Sequence, residues 1–141
     1  MDRTIWTFVV LNTIGGLGHH VDHTLRHKVG WPLTHDVNGY TITWLIYVVI
    51  LIGAILTRRG VAGPFFWGFI SAGGFVYTLV IHFAVNIDPP AQYAAQYGSS
   101  VKGAIAVTWL VLFLISLAST AVYAFRRWAV LRQQRLVSAT A

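Results

Sequence analysis

The chain of 141 residues contains no cysteine and no glutamate. The first absence removes disulfides, thiolate metal sites, iron-sulfur clusters, c-type haem attachment and cysteine nucleophiles together. The second leaves Asp2, Asp22, Asp36 and Asp88 as the only acids, so glutamate-based general-base chemistry is absent and no carboxylate dyad is apparent. Charge is scarce overall, at 10% of residues against 56% hydrophobic, with a mean hydropathy of +0.64. A soluble domain carries about 25% charged residues. This composition excludes disorder and points to a chain whose outer surface faces lipid.

Four segments have the roughly 20 apolar residues that a bilayer-spanning helix needs, at about 4–24, 40–57, 64–86 and 101–125. Turn-forming residues separate them: Gly30-Trp31-Pro32, Arg58-Arg59-Gly60, Asp88-Pro89-Pro90 and Gly98-Ser99-Ser100. The expected fold is therefore all-α, a single integral-membrane domain built as a four-helix up-down bundle. The N-terminal stretch lacks the basic run and small-residue cleavage site of a signal peptide, and is expected to be a retained first span.

With four spans, Arg3, Arg58, Arg59, Arg126, Arg127, Arg132 and Arg135 share one side, and Arg26, Lys28 and Lys102 the other. That asymmetry predicts cytoplasmic N- and C-termini and insertion in the inner membrane. Topology and anionic headgroups then account for the net charge of +6, and nucleic acid is not an expected partner. The expected partners are the bilayer and either a second copy of the chain or a larger membrane complex.

All six histidines lie toward the opposite, extracytoplasmic side. His19, His20, His23 and His27 fall within nine residues; His35 follows in the loop and His82 lies in the third span. At 100° per residue the first four share an arc with Asn12 and Gly16, while Ser71, Thr78, His82 and Asn86 form a second polar stripe on the third span. Polar side chains at membrane depth turn toward other helices, so the two stripes are expected to meet at one level across the core.

His19 and His23, at i and i+4, can offer two imidazoles to one metal, with His82 as a third ligand. His20, Asp22, Arg26, His27 and Asn86 are candidates for additional ligands or for groups that orient the ligands, and Asp36, Asp88 and His35 lie within reach through the outer loops. Imidazole and carboxylate without sulfur suit Fe, Cu or Zn. An isolated histidine at a helix end is usually a headgroup contact or a satisfied hydrogen bond, and Asp22 with Arg26 can be a plain surface ion pair. The clustering of all six on one side favours a site, since ionisable groups in a membrane are costly.

Three functions fit these residues. The first is a non-haem metal centre used in metal handling or redox chemistry. The second is a b-type haem held by His82 and one histidine of span one, with Gly15, Gly16, Gly18, Gly73 and Gly74 making room for the ring. The simpler role for such glycines is close packing between helices, and it is preferred for Gly15, Gly16 and Gly53. The third is an accessory subunit of a membrane complex with no chemistry of its own. Ser71, Ser116 and Ser119 lack an adjacent His-Asp pair, which argues against a serine hydrolase. Ser116, Ser119, Thr120 and Tyr123 on span four read as an interhelical seam. Tyr40, Thr43, Trp44 and Tyr47 on span two read mainly as packing residues.

Overall fold

The computed structural model describes residues 2–26, 43–85 and 87–140. Among these the chain is all-helical, with no strand. Its α-helices are α1 (Arg3–Leu25), α2 (Leu45–Arg58), α3 (Pro64–Leu79), the short α4 (Tyr93–Tyr97) and α5 (Ser100–Thr140). The first three residues of span two (40–42), with His27, His35, Asp36 and Asn86, lie outside the described residues.

Local sequence explains the helix ends. Asp2 caps α1 by accepting a hydrogen bond from the Thr4 backbone N–H at 2.9 Å, and Pro64 opens α3 at a position where its missing N–H costs nothing. Gly98 closes α4 in the left-handed region (φ 59°) that other residues resist. Beyond Leu79, α3 widens into a π-helical turn over Val80–Ala84, closed by the bond from Val85 N–H to the Val80 carbonyl at 2.9 Å.

Helix α5 is the common partner: α1 and α3 both pack along it, and longer side chains join them to one another. Its contacts fix the directions. Gly15 and Gly18 of α1 lie against the Phe113 and Trp109 rings, whereas the start of α1 meets Tyr123; Gly68 of α3 lies on Phe125 and Gly74 near Leu117. Hence α1 and α3 run in the same direction and α5 runs against both. Glycine removes the Cβ that these rings would otherwise meet, and Gly53 does the same for Phe66, so close packing is the role of these glycines.

A polar seam crosses the middle of this packing. Asn12 donates to Thr120 Oγ1 (2.9 Å) and accepts from Ser116 Oγ (2.6 Å), with Ser71 Oγ 3.4 Å away. The stripes of α1 and α3 do meet, and Ser116 and Thr120 supply the seam expected of span four.

Two helices among the described residues are long and apolar enough to cross a membrane: the 21-residue run Pro64–Ala84 and α5. The 23 residues of α1 include Asn12 and buried His19, His20, Asp22 and His23, which lower its apolar character. At 41 residues α5 is roughly 60 Å long, about twice a hydrocarbon core, and runs well past the expected end at 125. Arg126, Arg127, Arg132 and Arg135, together with Gln and Ala, are good helix formers, so the helix continues where the apolar run stops.

Candidate metal centre

Three imidazoles converge at the Leu25 end of α1. His19 Nε2 lies 3.1 Å from His23 Nε2 and 3.0 Å from His82 Nε2, and the three residues' ligand atoms all fall within 4.8 Å of one another. Helical spacing places His19 and His23 on one face of α1; the π-helical turn carries His82. Such wide turns are rare and concentrate at functional sites. All three residues are buried.

The opposite edges of these rings set the proton positions. His82 Nδ1 sits 2.7 Å from the backbone carbonyl of Asp88, which can only accept, so the proton is on Nδ1 and a neutral ring has its lone pair on Nε2. His23 Nδ1 lies 3.4 Å from Asp88 Oδ2 and 3.3 Å from Arg26 Nη2. Both hydrogens of that Nη2 are already directed to closer carboxylate oxygens, on Asp22 at 2.5 Å and Asp88 at 2.8 Å. His23 Nδ1 therefore donates toward Asp88, and its Nε2 too presents a lone pair inward. Only His19 has an Nε2 proton to offer between its two neighbours.

Three imidazole nitrogens gathered within 4.8 Å of one another can serve a single metal ion. Tetrahedral coordination at bond lengths of ~2.0–2.1 Å separates ligand nitrogens by roughly 3.3 Å, within a few tenths of the two closest distances here. The cluster could hold a metal ion.

Behind the histidines is a buried ionic network. Arg26 Nη1 donates to Asp88 Oδ1 (2.6 Å) and Gln96 Oε1 (2.6 Å), Nε donates to Asp22 Oδ2 (3.0 Å), and the guanidinium lies 3.8 Å over the Tyr93 ring. Tyr93 donates to Asp88 Oδ2 (3.1 Å), and Tyr97 to Asp22 Oδ1 (2.7 Å). Burial pushes the Asp88 carboxyl up, but hydrogen bonds and charge from Arg26 outweigh it and hold the group below the usual carboxylate range. Burial lowers Arg26, and its bonds to Asp88 and Asp22 reverse that into a net rise. The Tyr97 hydroxyl is pushed up to about 12 by burial and its bond to Asp22, so it remains a donor. Two carboxylates face one guanidinium, which leaves an excess negative charge beside three imidazoles. That sign suits a bound cation.

Of the expected site residues, the structure brings together His19, His23 and His82 as the inner group, with Arg26 directly behind His23. Asp22 reaches the histidines only through Arg26. Asp22 and Arg26 are buried rather than a plain surface pair, and Asp88 is their third member. His20 goes elsewhere. Its Nδ1 meets Tyr47 Oη at 2.6 Å, its Nε2 meets Thr43 Oγ1 at 2.7 Å, and its ring stacks on Trp44, so it joins α1 to α2.

Sequence reasoning missed Tyr93, Gln96 and Tyr97. They lie on α4, a single turn whose i, i+4 tyrosines were the only local sign of one face. Gly103 of α5 sits against the backbone of Ala94, where a Cβ would come within 2.6 Å, and so fixes α4 closely on α5.

Comparison with protein-family models, with curated proteins and with solved structures gives no match. The functional reading therefore rests on this geometry.

Proposed function

We propose that this protein is a four-span inner-membrane protein, an up-down bundle with both termini cytoplasmic, that holds one transition-metal ion on His19, His23 and His82 near its extracytoplasmic side. The observation that carries the reading is the convergence of three buried imidazole nitrogens, with His82 held from its far edge by a hydrogen bond to the Asp88 carbonyl and His23 Nδ1 3.4 Å from the Asp88 carboxylate. Two helices of membrane-spanning length and apolarity, together with the arginine-rich ends of α2 and α5, support the bilayer and the orientation.

Three protein ligands leave a coordination position for water or substrate. Imidazoles alone suit Fe, Cu or Zn, and Asp88 would act by orienting His23 and His82. The geometry favours a non-haem centre over haem b. Axial ligands on opposite faces of a haem stand about 4 Å apart, twice a ~2 Å metal-nitrogen bond, whereas His19 and His82 Nε2 are 3.0 Å apart with His23 against the same point.

Elemental mass spectrometry on the detergent-purified chain tests the proposal. Near-stoichiometric Fe, Cu or Zn is expected, reduced to background in both His23→Ala and His82→Ala, and retained in His20→Ala. Folded protein without metal, or equal retention in all variants, would overturn it.

A further inference from the structure

A cavity of about 390 Å³ lies between α1, α2, α3 and α5, and His19, His23 and His82 form part of its wall. The ionic network backs the Nδ1 edges of His23 and His82, and their Nε2 atoms face the other way. An ion bound by the three Nε2 atoms would thus direct its open position toward the cavity and away from Arg26.

The rest of the wall is mostly hydrocarbon, including Val9, Ile50, Ile70, Ile81 and Leu117. Several polar side chains of the wall are already engaged: Asn12 with Ser116, Thr120 and Ser71, and His20 with Tyr47 and Thr43, while Tyr77 and Thr78 add two further hydroxyls. A ligand that fills this space meets one strong polar anchor, the metal, and otherwise mostly apolar surface with a few hydroxyl groups. Among the described residues, the cavity reaches the molecular surface between α2 and α3, where the lining residues Leu45, Val49 and Tyr77 are exposed. In a four-span protein that mouth opens sideways into acyl chains.

The geometry points to a ligand class: a lipophilic molecule with a single metal-binding head, entering from the bilayer and seating its chain between α2 and α3. This inference rests on the metal reading above. Gly73 gives the means to test it, because it lines the cavity and a Cβ added there meets nothing within 4 Å. Leucine at this position would occupy the cavity and not the packing.

The experiment loads the full chain with Co²⁺, follows its visible absorption, and titrates acetohydroxamate and octanohydroxamate, with free probe measured by dialysis against the same micelles. Both probes are expected to perturb the wild-type spectrum, octanohydroxamate binding at least about tenfold tighter, since each buried methylene favours binding. Gly73→Leu should keep Co²⁺ and bind acetohydroxamate within about twofold of wild type, yet lose about tenfold or more for octanohydroxamate. Ile46→Phe, from the α2 wall, is the companion should Gly73→Leu fail to hold Co²⁺.

An unchanged octanohydroxamate affinity in the metal-bearing variant would overturn the inference and leave the metal centre intact. So would a spectrum that responds to acetohydroxamate alone. Failure of the wild-type chain to hold Co²⁺ would remove the metal reading itself, and the inference with it.

Discussion

Among the described residues, two arginine-aspartate pairs join distant parts of the chain, one toward each end of the helices, and they are built differently. Arg127 of α5 approaches Asp2 at 3.8 Å, with side chains 43% and 23% exposed. Arg26 meets Asp88 through two short bonds with both side chains fully buried, adds Asp22 and Gln96, and stacks on Tyr93. Around Asp2 the packing is aromatic and aliphatic, with Ile5, Val9 and Trp67 buried together. At the histidine end it is ionic. Burying three charges is costly and stabilises little by itself. The closed network stands directly behind two of the imidazoles, and among the described residues it is found at the end that bears the histidines.

The sharpest way to break that contrast is to remove one arginine at a time. Arg26→Ala leaves two buried carboxylates without their cation and should cost about 3–5 kcal/mol. Arg127→Ala should cost no more than about 1 kcal/mol. Unfolding in a detergent-urea series, read by tryptophan fluorescence, checks both, and equal losses would abolish the distinction.

Asp88→Asn is a milder change. It retains the backbone carbonyl that fixes His82 but removes the charge that orients His23. Metal affinity, measured by competition with a chelator, should fall about 10–100-fold while the helical content stays unchanged. An unchanged affinity would make the network a packing device only.

The smallest effect belongs to Asp2. Its carboxyl lies below the usual value of 3.8, held there by the Tyr123 hydroxyl and the Thr4 backbone N–H. A lowered folded-state pKa contributes stability that is fully present above the unfolded value and is lost as pH falls through the folded one. Stability of the wild-type chain should therefore decline slightly below about pH 4 by this route, and Asp2→Asn should remove that part of the decline.

How much of this was legible in the sequence follows the period of the helix. His19 and His23 were readable from regular 100° spacing on a long helix, and His82 from the cost of a polar group in lipid, although the π-helical turn that aims it breaks that spacing. His20 was ambiguous, since a neighbour 100° away from His19 can face either the core or the adjacent helix, and Thr43 and Tyr47 decide the matter only in three dimensions. Asp88 stood near a Pro-Pro turn, and nothing local showed that a single turn of helix would fold back to place Tyr93 and Gln96 against it. The length of α5 followed from helix propensity beyond the apolar run, a signal separate from hydropathy.

The π-helical turn around His82 sets the register of the whole site. A wide turn is a helix that has accepted one extra residue, and that residue is of no benefit unless the side chain it redirects has something to meet. Delete one position between Leu79 and His82, and the histidine swings by about 100° around α3, away from His19. The wide turn and the aim of the histidine are therefore one structural feature: without the turn, the same residue on α3 would not face His19.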